Sequence, residues 1–147
     1  MQNKKKAGIT LIEATVALAV LLILAAAVAP SVADADRRAL AYASQCIQAD
    51  IRLAQRLAVA EGRTHHIGFN HYENYYTVYT SPPYKEIERV YLPNGVMIRS
   101  AENFYYLPRG TASKAQTIRL GKGRFIQDLT VLVGSGRVRA GSITSIP

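Results

Sequence analysis

The sequence predicts an α+β fold: a long N-terminal helix, hydrophobic in its first half and amphipathic in its second, packed on a C-terminal antiparallel β domain. Three observations predict it. Residues Ala14 to Ala33 form an almost unbroken apolar run of the ~20 residues that a membrane-spanning helix needs. From Arg37 to about Glu61, apolar residues recur at three- and four-residue spacing. Beyond Gly62, short runs rich in aromatic and β-branched residues alternate with Gly, Pro and Asn clusters.

In order along the chain, Lys4, Lys5 and Lys6 precede the apolar run and predict a cytoplasmic N-terminus. Glu13 is the one carboxylate inside this segment. A charge in hydrocarbon is expensive, so it calls for a partner and a function. Pro30 removes a helix hydrogen bond and is expected to bend or loosen the helix there. In the amphipathic half, Leu40, Ala43, Ile47, Ile51, Ala54 and Ala58 form the inward face, while Arg38, Gln45, Gln48, Arg52 and Arg56 fall largely elsewhere on the wheel. Gly62 is a natural helix stop.

Strands are expected at Thr64–Phe69, Tyr75–Thr80, Glu86–Leu92, Val96–Arg99, Asn103–Leu107 and Thr117–Leu120. Further strand residues are Phe125, Leu129–Val133 and Arg137–Arg139. Turns are expected at Asn70–Asn74, Ser81-Pro82-Pro83, Pro93-Asn94-Gly95, Gly121-Lys122-Gly123 and Gly134-Ser135-Gly136.

The N-terminus resembles the type IV pilins and pseudopilins. The residues that carry the resemblance are the basic leader, Gly8, Ile9-Thr10-Leu11-Ile12-Glu13 and Pro30. It implies that a prepilin peptidase cuts between Gly8 and Ile9 and methylates the new N-terminus at Ile9. Counted from Ile9, Glu13 is fifth and Pro30 twenty-second, the positions the family favours; Ile9 itself departs from the commoner phenylalanine. Residues 1–8 are then a cleaved leader, 9–33 a transmembrane and filament-core helix, and 34–147 a pilin-like domain, helical to about 61 and then β. The same resemblance implies an assembly role for Glu13. In a bundle of subunits its carboxylate can pair with the Ile9 amine of a neighbour, and stranding a desolvated charge costs roughly 3–5 kcal/mol.

Further along, Asp50-Ile51-Arg52-Leu53-Ala54-Gln55 and Ile87 to Gly95 resemble the GspH/FimT-like minor pseudopilins. Leu129 to Val138 resembles the ending of the Gram-positive competence pseudopilin (ComGD-like). Partners implied are other pilin subunits, a prepilin peptidase, an assembly ATPase, a platform protein and the membrane. The implied location is the cytoplasmic (inner) membrane in a single pass, then a surface filament. A competence machine that takes up DNA is the preferred reading. The alternatives are a type II secretion pseudopilin, which pushes folded proteins outward, and a membrane-anchored binding protein that never polymerises. At the N-terminus, a plain anchor gives no reason for Glu13 or Gly8. An ordinary secretory signal ending at Ser31-Val32-Ala33 would carry a carboxylate and exceed the usual ~7–15 apolar residues.

The chain has 147 residues and a formal net charge of +8. Loss of the three leader lysines leaves 15 − 10 = +5, and the segment from Ser100 onward alone carries seven basic against two acidic residues. A basic C-terminal half points to a polyanionic partner or to a solvated face. Arg137 and Arg139, in Gly136-Arg137-Val138-Arg139, would share a strand face roughly 6.6 Å apart, a spacing suited to neighbouring phosphates. A Gly-Arg-x-Arg ending also resembles the motif linked to DNA binding in FimT-like pilins, which makes DNA a candidate partner with Lys122 and Arg124 as auxiliary contacts. The other reading is an edge strand whose arginines discourage pairing.

Cys46 is the single cysteine, so no intramolecular disulfide can form; it is read as a small core or interface residue. His65 and His66 are adjacent and point to opposite strand faces, so with His71 they make no metal shell. The tyrosines Tyr72, Tyr75, Tyr76, Tyr79, Tyr105 and Tyr106 are read mainly as half-buried strand residues, with base stacking as the other reading. No acid–base pair, nucleophile elbow or phosphate loop is found, so no catalytic residues, cofactor or metal are assigned and an enzyme is not expected.

Overall fold

The computed structural model describes residues 11–28, 32–93 and 95–146. Two compact units divide it, 1–32 and 33–147. In the first, α1 runs Leu11–Val28. Its 18 residues rise about 27 Å at 1.5 Å each, against a hydrocarbon core of ~30 Å. Among the described residues no helix is long and apolar enough to cross a membrane. The side chains described along α1, Leu11 to Leu24, are all exposed, and the apolar ones include Leu18, Leu21, Leu22 and Ile23. The expected bend at Pro30 and the processing residues Gly8 and Ile9 lie outside the described residues.

The second unit begins with α2, Val32–Glu61, whose six inward residues are those expected from the spacing. Leu40, Ala43, Ile47, Ile51, Ala54 and Ala58 are each at most 2% exposed. Three of the six are alanines, Ala43, Ala54 and Ala58, which let the backbone of neighbouring elements approach closely. Gly62 follows at φ +64°, the left-handed conformation that ends a helix without a Cβ penalty.

Among the described residues nine strands follow: β1 His65–Asn70, β2 Tyr75–Thr80, β3 Lys85–Tyr91, β4 Met97–Ser100, β5 Phe104–Tyr106, β6 Gln116–Lys122, β7 Phe125–Val131, β8 Val138–Ala140 and β9 Thr144–Ser145. They form two antiparallel sheets. The first has the order β3-β2-β1-β5 and the second β4-β6-β7-β8, with β9 also pairing β7. Inward residues of the first sheet (Ile67, Phe69, Tyr76, Val78, Phe104, Tyr106) and of the second (Ile98, Ile118, Leu120, Leu129, Val131, Val138) share one apolar core with α2. That core lies wholly between Leu40 and Val138, so the 33–147 unit carries everything it needs to fold alone.

Three strand expectations are corrected. The turn placed at Gly121-Lys122-Gly123 lies one step later: Gly121 and Lys122 still pair, with Ile126 and Phe125, and the reversal falls at Gly123-Arg124. The exposed Arg99 side chain lies across Gly121; a Cβ there would lie 2.8 Å from Arg99 Nε. Second, β7 is continuous from Phe125 but ends at Val131, so Leu132 and Val133 enter the turn. Third, Arg137 precedes β8 rather than lying in it.

Candidate functional site

The turn from β7 to β8 is fastened beneath α2. Gln55, at a half-buried helix position, donates through Nε2 to the Gly110 carbonyl at 2.7 Å and to the Ser135 carbonyl at 3.0 Å. From the other side, the Tyr106 hydroxyl donates to the Gly136 carbonyl at 2.6 Å. Burial pushes the Tyr106 phenol up to about 12, so it stays a donor at any physiological pH. Gly136 adopts φ +63°, and a Cβ on it would collide with Gln55 Nε2 and the Gly110 carbonyl oxygen. Arg137 N donates to Ser135 Oγ at 3.3 Å, and Leu132 N to the Arg137 carbonyl at 2.9 Å.

This fastening aims the two arginines that follow. Val138 is buried, and Arg137 and Arg139 on either side of it are exposed, so they share a face although only Arg139 is in the strand. With Arg52 and Gln55 of α2 they line a cleft of about 430 Å³. A neighbouring cleft of about 380 Å³ shares Gln55 and adds Arg56 and Arg109. Neither cleft has a carboxylate in its lining. Five arginines therefore flank one glutamine.

Several basic residues elsewhere are ion-paired, whereas Arg37, Arg38, Lys85, Arg99 and Arg124 have no ion-pair partner among the described residues. Arg119 grips Asp128 with two bonds of 2.8 Å, Arg89 meets Glu86 at 2.7 Å and Arg63 meets Glu61 at 2.7 Å, while Lys114 pairs with Glu102. Arg52, Arg56, Arg109, Arg137 and Arg139 have no ion-pair partner among the described residues. Only weak neutral bonds hold them, such as Arg109 Nε to Thr111 Oγ1 at 3.1 Å. Such a cluster, with no carboxylate in the lining of either cleft, makes this part of the surface electropositive.

Two expected auxiliary contacts are not brought to this cleft. Lys122 lies 3.4 Å from Asp36. Arg124 stands six residues from Thr130, the partner of Arg139, or about 20 Å along β7, with its guanidinium over the Phe125 ring. Arg52, Arg56 and Arg109 were not assigned from the sequence. The signal available there was the i, i+4 pair Arg52 and Arg56 bracketing Gln55, a polar residue one position from the core-facing Ala54.

The remaining residues fall as follows. Glu13 sits in the first turn of α1. His65 is fully buried and His66 half-buried, on opposite faces as expected; His71 bonds the Ile98 and Ala101 carbonyls at 3.3 and 2.9 Å. Among the described residues no group of His, Cys, Asp or Glu could hold a metal. Tyr76 and Tyr106 are core residues, whereas Tyr72 is fully exposed and Tyr75, Tyr79 and Tyr105 face outward. Burial, together with the bond it donates to Asp50, raises the Tyr76 phenol far above the ordinary value. Cys46 is half-buried between Tyr42, Tyr76 and Tyr91 at a small apolar depression.

Comparison with known proteins gives two findings. Residues 3–29 match the prokaryotic N-terminal methylation motif. The fold is similar to that of the minor pseudopilin EpsH from the type 2 secretion system of Vibrio cholerae. That match has a TM-score of 0.59 at 12% identity and covers 70% of this chain and 96% of that one. It is similar also to the type IV minor pilin FimU of Pseudomonas aeruginosa, with a TM-score of 0.58 at 14% identity, over 72% of this chain and 90% of that one. Comparison with curated protein sequences yields no match.

A methylation motif at residues 3–29, followed by a helix packed on this two-sheet β domain, supports a place in the type IV pilin and pseudopilin superfamily. Its fold is the GspH-like one, shared by the minor pseudopilin EpsH and the minor pilin FimU.

Proposed function

We propose that this chain is a minor pilin or pseudopilin of a competence machine, entering a filament through its N-terminal helix and offering its arginine cleft to DNA. In this reading Gly8 and Ile9 flank the peptidase cut and Ile9 is methylated. Glu13 pairs with the amine of a neighbouring subunit, and the helix spans the membrane once before assembly. A peptidase, an assembly ATPase and a platform protein act on it.

The observation that carries the DNA contact is the convergence of five arginines, none ion-paired among the described residues, on two adjoining clefts without a carboxylate. Guanidinium forks suit phosphate oxygens, and nothing in the clefts resembles a reader of base edges, so binding is sequence-independent and salt-sensitive. The second reading is a type II secretion pseudopilin, favoured by the likeness in fold to EpsH. It requires no nucleic-acid contact.

The test is a salt titration of duplex DNA binding by the 33–147 unit and by its Arg137→Ala/Arg139→Ala variant. Each phosphate contact removed lowers the slope of log affinity against log salt by about 1, so the double variant should lose about 2. Absence of binding at low salt eliminates direct DNA capture and leaves a scaffold role in a competence or secretion filament.

A further inference from the structure

The outward face of the first sheet carries a second cleft, remote in composition from the arginines. Cross-strand pairing places His66 opposite Tyr79, Gly68 opposite Thr77 and Asn70 opposite Tyr75, all on the side away from the core. Their alternates, Ile67 with Val78 and Phe69 with Tyr76, face inward and are buried. Tyr105 of β5 joins His66 on the outward row. The rings are close: His66 to Tyr79 is 5.0 Å, His66 to Tyr105 5.2 Å and Tyr79 to Tyr84 5.2 Å between centroids.

A depression of about 450 Å³ opens on this row, walled by Tyr72, Tyr75, Tyr79 and Tyr84 and floored by Gly68 and Thr77. It falls within the ~300–1,000 Å³ of small-molecule sites. Gly68 creates it: a Cβ there would stand 3.2 Å from Thr77 Oγ1 and 3.3 Å from Tyr79 Cε1. Any side chain would fill the floor and cover the threonine hydroxyl. Asn103 closes one end. Its Oδ1 accepts from Phe69 N at 2.8 Å, which fixes the amide and leaves Nδ2 as a donor. Among the described residues neither that Nδ2, nor Thr77 Oγ1, nor the hydroxyls of Tyr75 and Tyr79 has a hydrogen-bond partner.

The lining contains no Asp, Glu, Lys or Arg. Arg89, opposite Thr77 and 4.8 Å over the Tyr75 ring, is already ion-paired with Glu86 at 2.7 Å, so a phosphate chain finds no spare counter-charge here. What remains is a set of adjacent aromatic faces with hydroxyl and amide groups between them. A pyranose presents the complementary surface: flat C–H faces that lie on aromatic rings, and hydroxyls that both donate and accept at the rim. We propose that this cleft binds a neutral oligosaccharide, with sugar faces on Tyr79 and Tyr84 and hydroxyls at Thr77 and Asn103. The inference is independent of the DNA reading, because the two clefts share no residue.

The experiment is a nitrogen-15 correlation-spectrum titration of the 33–147 unit. The probes are the β-1,4-linked N-acetylglucosamine tetramer, cellotetraose, and a thymidine oligonucleotide. The expected result is saturable shifts of the Gly68, Thr77, Tyr79 and Asn103 amides with at least one sugar at millimolar concentration. Tyr79→Ala should weaken binding about tenfold or more, the equivalent of 1.4 kcal/mol. Because Tyr79 packs on His66, Tyr84→Ala is the companion variant. Tyr84 is 63% exposed in the turn after β2, so its removal should leave the fold intact while weakening binding several-fold. Arg137→Ala/Arg139→Ala should leave the sugar shifts unchanged. The proposal is overturned if neither sugar gives saturable shifts, if the shifts fall elsewhere, or if they survive Tyr84→Ala unweakened. It is overturned equally if the oligonucleotide moves the same amides more strongly than the sugars.

Discussion

Gly136→Ala and Gly134→Ala, two residues apart in one turn, make a matched pair. Gly134 has no neighbour within 4 Å of the position a Cβ would take, and it does not adopt a positive φ. Gly136 sits at φ +63°, with Tyr106 Cε1 2.9 Å from that position and the Gly110 carbonyl oxygen and Gln55 Nε2 nearer still. The left-handed backbone costs a non-glycine residue about 1 kcal/mol or more. Relieving the collision by moving Gln55 or the chain at Gly110 adds about 1–3 kcal/mol for overpacking. Part of the Gln55 bridge, at 2.7 and 3.0 Å, goes with it. Gly136→Ala should therefore lose about 2–5 kcal/mol, while Gly134→Ala stays within about 0.5 kcal/mol. Urea unfolding of the 33–147 unit measures both, and for Gly136→Ala the midpoint temperature should fall on the order of 10 °C. The same variant should weaken DNA binding without changing any charge, since the turn aims Arg137 and Arg139. Equal stability of the two variants would refute the claim that close approach under α2 is what holds this turn.

Other consequences follow from the same geometry. Tyr106→Phe leaves the Gly136 carbonyl buried without its donor and should cost about 1–2 kcal/mol in the same unfolding assay. Acid should weaken the domain in two stages, measured as melting temperature against pH. Burial, and to a lesser degree His65, hold His66 below its ordinary 6.5, so the unfolded chain binds its proton first and stability begins to fall below about pH 6.5. Glu61, Glu86, Glu102 and Asp128 are held below their ordinary values by bonds from Arg63, Arg89, Lys114 and Arg119. Their contribution, fully present above the unfolded values of 4.5 and 3.8, is lost as pH falls through the lower folded ones. His66→Gln should abolish the first stage and keep the second. In the full chain, Glu13→Ala should abolish incorporation into filaments, scored by recovery in sheared surface fractions; incorporation at the level of the unsubstituted chain would refute the assembly role of Glu13.

The helix face of α2 was legible because period and burial coincide: every residue picked from its spacing is in the core. β2 was legible to the residue for a similar reason, its aromatic and β-branched run being bounded by polar turns on both sides. Gly121 misled because glycine marks turns and close crossings alike, and the crossing by Arg99 is a fact of tertiary structure. β9 has two residues, Thr144 and Ser145, too few to show a period. The arginine cleft was half legible. Arg137 and Arg139 are neighbours in sequence, but Arg52, Arg56 and Arg109 join them only in the folded domain, where α2 packs on the sheets and Gln55 bonds two distant carbonyls. The aromatic cleft was hidden for the opposite reason, since its tyrosines read individually as ordinary strand residues and only the register sets them in a row.

The free edge of the first sheet, β3, bears on how many copies can live side by side. It presents open backbone donors and acceptors, the usual seed of uncontrolled sheet fusion. Four of its seven residues, Lys85, Glu86, Glu88 and Arg89, are charged. Another copy could zip onto this edge only by stripping water from those charges, several kcal/mol per ion in a dry setting. Crowding then raises the frequency of encounters without raising the chance of a permanent one. The contacts that do form between copies can then be chosen elsewhere on the molecule.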